Sequence, residues 1–202
     1  MKCLLPFFAM ISLASAQDAI VENASPETVA SAVSAVQELG KQVVLGRYSV
    51  AIERMYPQWK ERAAKRAGGM EKLEQKLDNV AQQMLAQGIS ITDFSPQGQP
   101  RAYEVGAGKS VEMVNGQQVE KLRYTKWMVL VPTVTKFRAM LKNDPVAIII
   151  ESTGFQVAIS DKGKNDWTFI DGSDLTVGDL RSLFGNLPLD LELPPLEKKQ
   201  VR

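Results

Sequence analysis

The spacing of apolar residues changes once along this chain, near Gly88, and this change restricts the folds open to it. Before Gly88, apolar residues recur every three or four positions, which is the period of an amphipathic helix. After Gly88 they alternate in runs that end at glycine, proline or asparagine, as in half-buried strands. Strands and helices do not alternate, which disfavours a doubly wound parallel sheet. We therefore predict an α+β fold with N-terminal helices packed on one side of a curved antiparallel sheet.

Four helices are predicted before Gly88. The first begins at Ser25-Pro26, because serine is a favourable N-cap and proline suits the first helical position. A second helix is expected over residues 41–56, ending before Pro57, and a short basic helix follows it. The fourth helix, after Gly69, carries one apolar stripe that we expect to pack on the sheet, formed by Met70, Leu73, Leu77, Val80 and Met84.

A hairpin is the clearest feature of the second half. Residues 101–114 and 119–131 are predicted strands joined at Asn115-Gly116, a strong signal for a two-residue turn. Pro132 predicts a sheet edge or a bulge, because proline lacks the N–H group that a ladder needs.

A further strand is predicted over residues 146–160, with a bulge at Gly154. Phe155, Val157 and Ile159 share one face of this strand, and we expect that face to meet the helices.

Residues 1–16 have the order of a secretory signal peptide. Lys2 precedes an apolar run, and Ala14-Ser15-Ala16 supplies a cleavage motif. The run is shorter than the roughly 20 residues of a membrane-spanning helix. We predict cleavage after Ala16 and a periplasmic or secreted mature protein with no stable membrane anchor, an uncleaved anchor being the alternative. The predicted organisation is a signal peptide over 1–16, a flexible leader over 17–24, one α+β domain over 25–190 and an extended polar tail over 191–202.

The composition excludes several kinds of chemistry. The chain contains no histidine, and its single cysteine, Cys3, lies inside the predicted signal peptide. Histidine-dependent triads and metal sites built on imidazole or thiolate are therefore excluded from the mature chain, and we predict no metal and no cofactor. The 24 basic and 23 acidic residues nearly balance, so nothing favours a nucleic acid as partner.

Three patterns suggest ligands, and each has a simpler interpretation. Residues 106–110 end like a phosphate-binding loop, but Tyr103 occupies the position of its first glycine. Trp59 and its basic neighbours could bind anionic glycans, whereas a solvated helix face is the alternative. Four aspartates lack the spacing of a calcium loop and are typical of turns: Asp161, Asp166, Asp171 and Asp174.

The order of the elements resembles that of small secreted bacterial domains of the nuclear transport factor 2-like, cystatin-like superfamily. The segments that carry this resemblance are Gly68-Gly69, Gly88-Ile89-Ser90-Ile91, Val131-Pro132 and Trp167-Thr168-Phe169-Ile170-Asp171-Gly172. The resemblance would cover residues 25–190 and implies a cone-shaped arrangement of helices and sheet. The superfamily includes ketosteroid isomerase and dehydratase-like enzymes as well as domains without known chemistry, so the resemblance alone does not select a function.

Enzymes of that superfamily use aspartate, tyrosine and often histidine inside the cone. Tyr48 and Tyr124 lie on otherwise apolar faces, so we expect both to point inward as candidate binding residues. The alternative is that each is a core residue whose hydroxyl is satisfied locally. Other polar candidates are Tyr103, Asp93, Glu104 and Glu151.

Three functions are compatible with these features. The leading hypothesis is a non-enzymatic exported domain that binds a small apolar ligand or a protein partner. The second is an isomerase, dehydratase or hydrolase that uses a tyrosine and a carboxylate in the cone. The third is a structural module that forms a homodimer through its sheet.

Overall fold

The computed structural model describes residues 24–114, 116–140 and 146–201, and these residues form an α+β fold with N-terminal helices packed against a curved antiparallel sheet. The helices of this part of the chain are α1 (Pro26–Val44), α2 (Ser49–Glu53), α3 (Pro57–Ala67), α4 (Met70–Ala86) and α5 (Val177–Leu183). The strands are β1 (Ile89–Pro96), β2 (Arg101–Val114), β3 (Gln117–Met140), β4 (Ala147–Asp161), β5 (Thr168–Asp171) and β6 (Glu197–Gln200). The predicted signal peptide and residues 17–23 of the leader lie outside the described residues. Within the described ranges, no helix is both long enough and apolar enough to cross a membrane.

The first helix begins as predicted but ends later. The Ser25 hydroxyl accepts a hydrogen bond from the Thr28 backbone N–H at 3.3 Å, which caps the N-terminus of α1. The predicted helix over residues 41–56 is wrong, because α1 continues through Gly40 to Val44. Gly40 is kept small by packing: a Cβ atom there would lie 1.9 Å from the ring of Phe94. The chain leaves α1 at Gly46, whose φ of +79° favours glycine, and only the short α2 follows.

Helix α4 has the predicted limits, but its apolar stripe does not cover the sheet. It packs on α3 and β1, and only Leu73 of the stripe is fully buried. Leu77 and Met84 are half-buried, and Val80 is 47% exposed. The stripe is left partly uncovered because α1 packs on one face of the sheet, and α5 and the segment after it pack on the other.

Because of this placement, we expect Leu73 and Leu77 of α4 to contribute differently to the free energy of unfolding. Leu73→Ala should lower the free energy of unfolding by about 2–5 kcal/mol, the usual cost of truncating a buried leucine. Leu77→Ala, the same change one turn later, should cost clearly less because Leu77 is already half in water. Urea unfolding of both variants followed by circular dichroism tests the pair, and equal losses would contradict this orientation of α4.

Two long antiparallel strands form the centre of the sheet. β3 pairs with β4 along fifteen positions, with Met128 opposite Ile159 and Met140 opposite Ala147. β1 and β2 lie end to end along the other edge of β3, and β5 and β6 lie end to end along the outer edge of β4. The sheet is therefore four rows wide, and each outer row consists of two short or half-length strands.

The hairpin of β2 and β3 is confirmed, with Val114 opposite Gln117 across a two-residue turn. Its returning strand is longer than predicted, and Pro132 lies inside it rather than at an edge or a bulge. Pro132 is tolerated there because it faces the junction between β1 and β2, where its carbonyl accepts a hydrogen bond from the Gln97 N–H at 2.9 Å. The missing N–H group therefore removes no hydrogen bond to β4.

The bulge predicted at Gly154 is wrong. Gly154 continues the regular register opposite Thr133, and the irregularity lies in β1, between Ile91 and Asp93. Gly154 instead leaves space between Thr133 and Leu196, which would lie 3.7 Å and 3.9 Å from a Cβ atom at this position.

The sheet is covered on both faces, which the sequence does not predict. On one face, α1 packs Ala32, Val36 and Leu39 against Val129, Val131, Ala158, Trp167 and Phe169. On the other face, Phe155, Val157 and Ile159 belong to a cluster that α5 and the segment after it cover, together with Tyr56 and Trp59 at the start of α3. This second cover is formed by Leu175, Leu180, Phe184, Leu187 and Leu191.

The packed region extends past residue 190, the predicted limit of the domain. Leu191 is 7% exposed within the second cover, and β6 then pairs with β4 from residue 150 to residue 153. Lys199 on β6 lies 2.8 Å from the carboxylate of Glu151, and this hydrogen bond holds the pKa of Glu151 below its ordinary value. The last residues thus contribute a strand as well as charged surface.

Candidate functional site

A cleft of about 560 Å³ lies on the α1 side of the sheet, beyond the part that α1 covers, and we call it the sheet cleft. Its floor consists of Thr133, Thr135 and Phe137 on β3 and of Ser152, Gly154 and Gln156 on β4. These residues share a face because Thr133 lies opposite Gly154 and Thr135 opposite Ser152. Phe94 on β1 also lines the cleft, and it lies opposite Thr135 in the pairing of β1 with β3. One rim is formed by Asp171, Ser173 and Asp174, and another by Leu196, Glu197 and Lys198.

The floor contains polar groups without protein partners. Thr133 is only 4% exposed, and its hydroxyl forms no hydrogen bond with another described residue. The reason is Gly154 opposite: a Cβ atom there would lie 3.7 Å from Thr133 Oγ1, so the glycine leaves the hydroxyl facing open space. Gln156 is 7% exposed and donates through Nε2 to Asp171 Oδ2 at 2.8 Å, which leaves its amide oxygen available. Both residues are buried as a whole, but these two oxygen atoms are accessible from the cleft, so a ligand can form hydrogen bonds with them.

The rims carry charges of both signs. Asp171 is occupied, since its carboxylate accepts hydrogen bonds from Gln156, from the Ser173 N–H at 2.8 Å and from the Ser173 hydroxyl. Asp174 forms no ion pair with any described residue, whereas Glu197 lies opposite Thr153, on the face of the sheet away from the floor, together with Lys199. Lys198 is the single cation among the residues that line the cleft.

The structure separates the two tyrosines predicted to bind a ligand. Both are half-buried, but Tyr48 lies at the start of α2 and does not line the sheet cleft. Tyr124 lies on the opposite face of the sheet, where it lines a second concavity of about 550 Å³ with Tyr56 and Phe184. The two residues therefore do not form one site.

The candidate carboxylates are each engaged by a lysine. Asp93 lies 3.9 Å from Lys136, Glu104 is in direct contact with Lys162, and Glu151 pairs with Lys199. For Glu151, the hydrogen bond from Lys199 makes the carboxylate a weaker base than a free one, because the neighbouring cation stabilises its charged form.

The candidate groups are also far apart. Tyr103 lies opposite Met128 and Glu151 opposite Lys136, a separation of eight strand positions, or roughly 27 Å. Burial raises the pKa of Tyr103, and the nearby carboxylate of Asp190 adds to this shift. Tyr103 and Glu104 are successive residues of a strand and point to opposite faces. No tyrosine and carboxylate of this set is thus placed for a joint acid–base role.

The weaker motifs have structural roles. Residues 106–110 belong to β2, with no helix after them to bind a phosphate. Arg62 donates to Ser182, and Arg66 lies 3.3 Å from Asp179 and over the ring of Trp59, so these basic residues link α3 to α5. Asp161 pairs with Lys126 and Lys164. Among the described residues, no three potential metal ligands lie together.

The hairpin carries a further exposed surface. Residues 107–114 and 117–124 extend beyond the last pair of β3 with β4, Lys126 and Asp161, as a two-stranded arm. Val111, Met113 and Leu122 lie on one face of this arm and are each at least 60% exposed. Apolar side chains gathered on a projecting element are typical of contact surfaces.

Comparison of the chain with protein-family models, with curated proteins and with solved structures finds no match. The resemblance to the nuclear transport factor 2-like superfamily therefore stays a prediction. The sheet cleft was missed by sequence reasoning, because Thr133, Thr135 and Ser152 alternate like the solvent face of a strand. Gly154 is the signal that could have found it, as a glycine opposite a threonine at the centre of two long strands.

Proposed function

We propose that this chain is a non-enzymatic binding domain that holds a small polar ligand in the sheet cleft. The observation that carries the proposal is the floor of the cleft, where the Thr133 hydroxyl and the Gln156 amide oxygen are accessible and form no hydrogen bond with a described residue. A preformed cleft of this volume with a few convergent polar groups is typical of small-molecule sites.

The lining favours a polar ligand over the apolar one expected from the sequence. Ten of the fifteen residues that line the cleft are polar or charged, and the others are Phe94, Phe137, Phe155, Leu196 and Gly154. The ion-paired and widely separated carboxylates support binding rather than catalysis. The order of residues 1–16 supports export, so the domain would act in the periplasm or outside the cell.

Filling the cleft tests this function. Gly154→Leu places a side chain over the floor, and its Cβ atom meets only ordinary contacts, at 3.7 Å from Thr133 and 3.9 Å from Leu196. Gly185→Leu is the matched control, because Gly185 lines the second concavity and has open space around it. We expect polar fragments detected by ligand-observed NMR to bind the wild type and Gly185→Leu but not Gly154→Leu.

The opposite pattern would contradict the proposal. If the fragments bound Gly154→Leu as well as the wild type, or were lost only with Gly185→Leu, the sheet cleft would not be the binding site. The melting temperature of each variant shows whether it is folded.

A homodimerising module is the second candidate function, and the arm is the observation that favours it. Its exposed face carries Val111, Met113 and Leu122, and a second copy of the same chain would present the same stripe. The arm is about 27 Å long, since each of its strands contributes eight residues.

A further inference from the structure

The sheet cleft combines unpaired polar groups with aromatic rings, and this combination favours one class of polar ligand over others. We infer, on the basis of the binding function proposed above, that the ligand is an uncharged saccharide of one or two rings. Four properties of the cleft support this ligand: its charge, its hydrogen-bonding groups, its aromatic edge and its size.

The charge disfavours anionic ligands. Asp171 and Asp174 line one rim of the cleft, and Lys198 is the single cation among its lining residues. A phosphate or a carboxylate bound beside Asp171 and Asp174 would meet like charges, whereas a neutral ligand would not. Asp174, which forms no ion pair within the described part of the chain, remains free to accept hydrogen bonds.

The hydrogen-bonding groups suit a ligand that carries several hydroxyls. Thr133, Thr135 and Ser152 can each donate and accept, so a partner on the floor should be able to do both. A saccharide hydroxyl has this property, whereas an ammonium group only donates. Hydrogen bonds from hydroxyls to the free carboxylate of Asp174 are charge-assisted and stronger than neutral ones.

The aromatic edge suits the apolar face of a sugar ring. Phe94 lies opposite Thr135, and Phe137 is two residues further along β3 on the same face. The Phe94 ring is held in place because it packs directly against Gly40 of α1. A fixed phenyl ring beside a row of hydroxyls can contact the C–H groups of a sugar while the hydroxyls bind its polar edge.

The dimensions set the length of the ligand. The floor runs from Gln156 on β4 to Phe137 on β3. Because Phe137 lies opposite Ile150, this span is six strand positions, or about 20 Å. The volume of about 560 Å³ lies within the range of pockets for small molecules. One ring or two rings fit this space better than a long chain.

The test uses the mature chain and defined probes. Maltose, cellobiose and N,N′-diacetylchitobiose are titrated beside the anion glucuronate and the diamine putrescine, and amide chemical shifts are recorded. We expect at least one neutral disaccharide to shift the resonances of the cleft more strongly than either charged probe. Asp174→Asn should weaken that binding about tenfold or more, as expected for the loss of one charge-assisted hydrogen bond. Asp78→Asn, the same change on the exposed face of α4, should leave it unaltered.

Three results would overturn the inference. Preference for glucuronate or putrescine would assign another class of ligand to the cleft. Binding of non-saccharide polar fragments without any disaccharide would refute the saccharide while leaving the binding function intact. If neither fragments nor saccharides moved the resonances of the cleft, the proposed function would fail as well.

Discussion

Trp167→Ala is expected to lower the free energy of unfolding by about 3–5 kcal/mol, the range for truncating a large buried aromatic residue. Trp167 is 1% exposed and packs under α1 in the cluster that joins this helix to β3 and β4. Its indole N–H donates to the Ser31 hydroxyl at 3.0 Å, and its carbonyl accepts from Arg54 at 2.7 Å. The residue thus connects β5, α1 and the end of α2.

Ser31→Ala separates the packing of Trp167 from its hydrogen bond. It removes the acceptor while keeping the tryptophan, so we expect a loss of about 1 kcal/mol, with an unsatisfied indole N–H as its cause. Urea unfolding measured by circular dichroism compares the two variants. A loss below about 1 kcal/mol for Trp167→Ala would contradict the packing of α1 on the sheet.

Ending the chain after residue 190 is the second change with a large expected effect, on the order of 3–5 kcal/mol. The truncation removes Leu191 from the second cover of the sheet, the half-buried Leu193, and the pairing of β6 with β4. It also leaves Glu151 without its partner Lys199.

A longer truncation variant identifies the source of the loss. A chain ending after residue 196 keeps both leucines and removes only β6, whose residues are all exposed. We expect it to retain most of the stability, as judged by its melting temperature. If the chain ending at residue 190 had the same melting temperature as the full-length mature protein, the domain would end where the sequence predicts.

Local features of the fold could be predicted from the sequence because their signals are local. Ser25-Pro26 marks the start of α1, and Asn115-Gly116 marks the hairpin turn between residues 114 and 117. The helix break was misplaced because Gly40 was interpreted as a helix breaker. Its small size instead serves a tertiary contact with Phe94, which no local pattern contains.

The second cover of the sheet could not be predicted for a related reason. β4 carries buried side chains at every position from Phe155 to Ser160, so both of its faces are covered. The sequence there is compatible with a single helical layer as well as with two covers. Leu187 directly precedes Pro188, and Leu191 lies between Pro188 and Pro194, in a segment without regular structure. Their burial depends on contacts with strands far away in sequence.

The candidate site was the least predictable part. Tyr48 and Tyr124 were selected because they lie on apolar faces, but an apolar face does not by itself bring two residues together. Tyr48 lies at the start of α2, whereas Tyr124 lines the second concavity. The sheet cleft arises from the register that places Thr133 opposite Gly154 and from the rims that β5 and β6 add. Both the register of β3 with β4 and the position of the rims depend on contacts between residues that are far apart in sequence.

The most direct test of the sheet cleft as the binding site is a map of amide chemical-shift changes on titration of the mature chain with the polar fragments that bind it. The predicted result is that the largest changes fall on Thr133, Thr135, Ser152 and Gly154, the residues of the floor. Changes centred on Val111, Met113 and Leu122, growing with protein concentration, would contradict it and would favour self-association through the arm.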